Sequence, residues 1–92
     1  MSETIRLTAW VHGHVQDVGF RWTTRSRALE LGLVGFAKNY PDGRVLVVAE
    51  GSAEKCEELL AWLNGPDTPG VVETVVSDFS KPHGDYLTFD RR

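Results

Sequence analysis

One cysteine, Cys56, stands in a chain of 92 residues, so no internal disulfide can form. That scarcity fits a reducing compartment better than secretion. No apolar run approaches the roughly 20 residues needed to cross a bilayer. The start, Met1-Ser2-Glu3-Thr4-Ile5-Arg6, lacks the basic segment and apolar stretch of a signal peptide. Basic charge is not in excess either: ten Lys and Arg against thirteen Asp and Glu leave a formal charge of -3. A general nucleic-acid binder carries a basic face, and this balance argues against one. The three histidines, His12, His14 and His83, have no cysteine or carboxylate at ligand spacing, so no metal site is expected. These absences point to a cytoplasmic protein with neither membrane nor nucleic acid as a partner. A monomer is the default for this size and charge.

No repeat, low-complexity stretch or linker interrupts the sequence, and its length allows one domain over residues 1–92. Ile5, Leu7, Ala9 and Val11 alternate with Arg6, Thr8, Trp10 and His12, the period of a strand with one buried face. A loop, Gly13 to Gly19, leads into a helix that begins near Gly19-Phe20. Phe20, Thr24, Ala28 and Leu31 share one face of it, and Gly32 is a natural stop. Leu33 to Tyr40 and Arg44 to Glu50 read as strands joined across Pro41-Asp42-Gly43. Ser52 caps a second helix whose apolar face is Cys56, Leu59, Leu60 and Leu63, and Gly65-Pro66 ends it. Val71 to Phe79 is a further strand, Lys81 to Gly84 a turn, and Tyr86 to Phe89 a short last strand.

The order is βαββαβ plus a short terminal strand, the α+β ferredoxin-like split βαβ sandwich. An antiparallel sheet with two helices on one face is expected. Many functions share this fold, so chemistry must be read from residues. A base-stacking RNA module is disfavoured, because Arg44 to Glu50 contains no aromatic residue. Cys56 is expected in the core. Trp10, Trp22, Phe36 and Trp62 read as packing groups, and Arg25 and Arg27 as solvated helix charges. Arg91-Arg92 reads as a short basic end, frayed or paired with surface acids.

The segment Gly13-His14-Val15-Gln16-Asp17-Val18-Gly19-Phe20-Arg21 carries the chemistry. Unpaired N–H groups at a helix start, together with the helix dipole, bind anions. Successive loop N–H groups add a concave nest, and an arginine in the first turn adds a charged planar fork. By residues alone, the same segment reads equally as a tight turn beside a solvated Arg21. Asn39 by itself reads as a strand-ending residue before a turn.

The segment also resembles the acylphosphatase signature Gly-x-Val-Gln-Gly-Val-x-Phe-Arg. The stretch from Gly35 to Val45, with Asn39 followed by a turn and Gly43-Arg44-Val45, is similar to that family's second motif. The resemblance covers about Arg6 to Phe89. It implies an enzyme that hydrolyses acyl phosphates to a carboxylate and inorganic phosphate, without metal or organic cofactor. The loop residues His14, Val15, Gln16, Asp17, Val18, Gly19 and Phe20 would bind phosphate. Arg21 would bind it and stabilise the transition state, and Asn39 would orient the attacking water.

Asp17 departs from the pattern, which has glycine there. A non-glycine residue at φ > 0 costs about 1–2 kcal/mol. A carboxylate about 4 Å from phosphate is repelled by about 1 kcal/mol in water and about 4 kcal/mol at an effective dielectric near 20. Asp17 is expected to weaken phosphate binding without removing the fold. The alternative is an anion-binding module of the same fold, catalytically weakened because Asp17 replaces the glycine.

Overall fold

The computed structural model describes residues 3–92. Its elements are β1 (Thr4–His14), α1 (Phe20–Glu30), β2 (Val34–Asn39), β3 (Val45–Ser52), α2 (Ala53–Leu63), β4 (Val71–Ser80) and β5 (Phe89–Arg91). They form a five-stranded sheet in the order β4-β1-β3-β2-β5. Both helices lie on one face, α1 against β2 and β5 and α2 against β1 and β3. This is the expected ferredoxin-like arrangement, with two corrections. The sheet is mixed rather than antiparallel, because β5 runs parallel to β2. The last strand also starts three residues later than the aromatic pattern suggested. Tyr86 lies in the preceding loop, packed on Phe36 at 5.9 Å between ring centroids, and Phe89 begins β5.

Local sequence dictates most of this. In β1, Leu7, Ala9 and Val11 are wholly buried toward the helices, as their alternation requires. β3 lies centrally and is covered on both faces, so Val45 to Ala49 is a continuous apolar run. Val45, Val47 and Ala49 join the core beneath the helices, while Leu46 and Val48 join a second cluster with Phe36, Trp10, Tyr40 and Tyr86. The helix faces follow the periodicity: Phe20, Thr24 and Ala28 are buried in α1, and Cys56, Leu59 and Leu63 in α2, while Leu60 is only partly buried and Leu31, also partly buried, is the C-cap just past α1. Gly32 closes α1 at φ 72°, with Gly32 N–H donating to Leu29 O and Leu33 N–H to Ala28 O. That pair of bonds is the Schellman arrangement, and the left-handed turn it needs is cheap only for glycine. No helix is long and apolar enough to cross a membrane among the described residues.

The sheet face away from the helices is covered by the loop of residues 81–88, and one carboxylate fastens it. Glu50 on β3 is 3 % exposed. Its Oε2 accepts from Arg6 at 3.0 Å and from the His83 N–H at 2.8 Å, and its Oε1 from the Gly84 N–H at 3.0 Å. Burial alone pushes the Glu50 carboxyl up, but the two backbone donors and Arg6 outweigh it and hold the group below its ordinary value. Arg6 also donates to the Tyr86 hydroxyl at 3.3 Å.

A hydrogen bond to a charged group contributes about 1.5–3 kcal/mol. Glu50→Gln is therefore expected to lower unfolding stability at pH 7 by roughly that amount, measured by urea denaturation. Because the folded value is depressed, the Glu50 contribution is complete above the ordinary value of 4.5 and is lost as pH falls through the folded one. The gap between wild type and Glu50→Gln should close on acidification below pH 4.5. A gap that stays constant down to strong acid would contradict this role.

Candidate active site

β1 changes register against β4 between His12 and Gly13, and the chain then leaves the sheet into the loop. The loop ends at Gly19, the N-cap of α1, at φ 77°. Glycine takes this conformation readily, and with no side chain it folds nothing over the helix start. No side chain caps α1, and no acidic residue lies in its first turn. The second helix is the opposite case: the Ser52 side chain accepts from Lys55 N–H at 3.2 Å, and Glu54 lies in the first turn. The start of α1 thus keeps free N–H donors and the positive dipole end for an outside anion.

Beside this helix start lies a cavity of about 90 Å³ lined by Val15, Asp17, Gly19, Phe20, Arg21, Trp22, Asn39 and Arg91. The two residues expected to carry the chemistry, Arg21 and Asn39, therefore meet in one cavity from different elements. Arg21 projects from the first turn of α1 and donates to the main-chain oxygen of Arg92 at 2.6 Å. Asn39 ends β2, with its backbone opposite Val45 of β3. Its side-chain Oδ1 is buried and has no hydrogen-bond partner among the described residues. A buried acceptor left unpaired costs about 1–3 kcal/mol, and the residue that carries this one lines the cavity.

The loop residues divide. Val15, Asp17, Gly19 and Phe20 line the cavity, Val15 and Phe20 with side chains buried in the core. His14, Gln16 and Val18 are outside the lining. His14 belongs to the β1–β4 ladder opposite Val71, and Val18 is exposed. Gln16 acts as a tether instead. Its Nε2 donates to Tyr40 O at 2.7 Å and to Arg44 O at 3.1 Å. One side-chain amide thereby ties the loop to the turn that follows Asn39. Asp17 is the only non-glycine residue among those described with positive φ, at 61°. The backbone cost anticipated for a residue other than glycine does apply there.

Three basic or aromatic residues depart from expectation. Trp22 is 53 % exposed and lines the cavity, so it is not a core packing group. Its place in the first turn, next to Arg21, was the available signal. Arg25 is half-buried and donates from Nε to Phe89 O at 3.1 Å, which ties α1 to β5. Arg91 is not frayed and pairs with no acid among the described residues: it belongs to β5, lines the cavity, and holds its guanidinium 4.8 Å from the Trp22 ring centroid. Arg92 N–H donates to Ala37 O at 2.8 Å. No local pattern marked Arg91, because its position depends on β5 pairing with β2. Among the described residues, no three His, Cys, Asp or Glu side chains are grouped so as to hold a metal ion. Cys56 is buried on α2, where burial first, and then the charge of Glu50, push its thiol up to about 11.

Comparison with known proteins gives the family and the fold. The acylphosphatase family model matches residues 7–91. An acylphosphatase of Mycobacterium sp. (strain JLS) is 64% identical over 88 residues, covering 96% of this chain and 94% of that one. An acylphosphatase of Streptomyces coelicolor is 61% identical over 90 residues, covering 97% of each. The crystal structure of acylphosphatase from Bacillus subtilis superposes with a TM-score of 0.86 at 28% identity, covering 96% of this chain and 98% of that one. Since the family model spans nearly the whole sequence, and both motifs converge on one cavity, the chain belongs to the acylphosphatase family.

Proposed function

We propose that this protein hydrolyses acyl phosphates at the cavity between the start of α1 and the end of β2, with Arg21 and Asn39 as its catalytic residues. The observation that carries the assignment of roles is the orphaned Asn39 Oδ1, buried at the cavity beside Arg21. As a member of the acylphosphatase family the chain is an enzyme, and its substrates are carboxyl-phosphate mixed anhydrides. The reading of a weakened binding module is not favoured, because the relatives at about this identity along nearly the full length bear the enzyme's name.

The backbone N–H groups of the loop and of the α1 start hold the phosphate oxygens. Arg21 adds a permanently charged fork that follows the charge on the equatorial oxygens as the transition state forms. Asn39 Oδ1 accepts a hydrogen bond from a water and turns that water's lone pair toward phosphorus. The water oxygen bonds to phosphorus, the bond from phosphorus to the acyl oxygen breaks, and the carboxylate leaves with its electron pair. The water's proton passes to phosphate or bulk solvent. A carboxylate is a weak base, with pKa near 4 for an ordinary one, so it departs without a general acid. Positioning and electrostatics then supply most of the catalysis. Gln16 acts at one remove, by holding the loop against the segment that follows Asn39.

The same reading includes independence of metal, a monomeric state and a cytoplasmic location. A single buried cysteine supports the last, and the net charge of -3 speaks against nucleic acid as a partner.

Hydrolysis of benzoyl phosphate in the presence of EDTA is the first test. Wild type should turn over, Arg21→Ala should lose about 10³-fold in kcat/KM, and Asn39→Ala about 10²-fold, mainly in kcat. A folded wild type without turnover would overturn the assignment. Asp17→Gly removes both the left-handed strain and a carboxylate at the phosphate loop. It should make inorganic phosphate a better inhibitor by about fivefold, the equivalent of about 1 kcal/mol of repulsion. Unchanged inhibition would show that the Asp17 carboxylate is fully screened from the ligand.

A further inference from the structure

The proposed chemistry leaves part of the cavity unused. Trp22 forms a wall from the first turn of α1, and Arg91 reaches the same cavity from β5. The Arg91 guanidinium lies 4.8 Å from the Trp22 ring centroid, and that of Arg25 lies 5.7 Å from the same ring. The two cations are not equivalent. Arg25 is engaged with Phe89 O, whereas Arg91 has no carboxylate partner among the described residues. The ion pairs there involve Arg6, Arg27, Arg44 and Lys55. Asp17 is the single carboxylate in a lining that holds both Arg21 and Arg91.

We infer that Trp22 and Arg91 form an acyl-group subsite that prefers acyl phosphates bearing a second anion, a carboxylate on the acyl portion. The inference rests on the reading of this cavity as the acyl phosphate site. A guanidinium that stacks through its face keeps its N–H edge available, and that edge matches a carboxylate two bonds at a time. The 4.8 Å approach to Trp22 also restrains the Arg91 side chain before any ligand arrives, which lowers the entropy lost on binding. Arg21 and the loop serve the phosphate, so an anion further along the substrate falls to a second cation on another element. The half-exposed indole in the same lining gives a flat apolar wall for the portion joining the two charges. Nothing in the transfer of the phosphoryl group itself requires a charge so placed. The geometry therefore separates reaction from selection: Arg21 and Asn39 act at phosphorus, and Arg91 and Trp22 read what is attached to it.

Benzylphosphonate and 4-carboxybenzylphosphonate are stable probes that differ only in the carboxylate. In calorimetric titrations of the wild-type protein the carboxylated compound should bind about tenfold more tightly, a modest value for a charge-assisted pair open to water. Arg91→Gln should abolish that difference. Arg91→Lys should keep part of it, retaining charge without the fork, and Trp22→Leu should reduce it by loosening the stack. Equal affinity for the two compounds in wild type, no binding of either, or a preference that survives Arg91→Gln would each overturn the proposal.

In turnover, the ratio of kcat/KM for 4-carboxybenzoyl phosphate to that for benzoyl phosphate should fall about tenfold in Arg91→Gln. This ratio cancels any general loss of folded or active enzyme. A parallel loss on both substrates would place Arg91 on the phosphate and overturn the subsite. Failure of the hydrolase reading itself looks different: neither benzoyl phosphate is hydrolysed, while the preference between the phosphonates still appears.

Discussion

The first turn of α1 starts at a left-handed Gly19, with no side chain hydrogen-bonded to its N–H groups and no acidic residue within the turn. Such a start is stable only if something outside the helix accepts those donors. Among the preceding side chains, Gln16 donates its Nε2 to Tyr40 O and Arg44 O, and Gly19 has no side chain to offer. An anion in the adjoining cavity would satisfy the donors and meet the positive dipole end at the same time. Loop, arginine and cavity all follow from leaving this one helix open while α2 is closed by Ser52.

The rest of the fold holds other residues around that opening. The register change at Gly13 releases β1 into the loop, and Gln16 fixes the loop to the turn beyond Asn39. β5 brings Arg91 to the rim because it pairs with β2 in parallel. The route to β5 crosses the far sheet face, where buried Glu50 fastens it through His83, Gly84 and Arg6. A carboxylate on β3 thus helps determine where a cation stands on the opposite side of the molecule. The site also carries strain of its own, in Asp17 at φ 61° and in the unpaired Asn39 oxygen. A water bound at the site would offset the second of these costs, not the first.

Local patterns made much of this readable in advance. The alternation from Ile5 to Val11 and the helical spacing of Phe20, Thr24 and Ala28 report a face buried by one layer, and that face is what the structure buries. Arg21 and Asn39 were identifiable because each sits in a contiguous motif, although neither motif says that they meet; the fold does. The unread parts depend on contacts distant in sequence. Tyr86 looked like a strand residue because aromatic residues favour strands, but packing on Phe36 holds it in the loop. Arg91 and Trp22 looked like a basic end and a packing group because charge and hydrophobicity are properties of a residue. Lining a cavity is a property of the β2–β5 pairing and the α1 register together.

The central claim is that this cavity directs water to phosphorus and leaves the acyl carbonyl alone. Single-turnover hydrolysis of benzoyl phosphate in water enriched in oxygen-18, with mass analysis of both products, tests it most directly. The account predicts one heavy oxygen in the inorganic phosphate and none in the benzoate. Heavy oxygen in the benzoate would mean attack at carbon, and the roles given to Asn39 and Arg21 would be wrong.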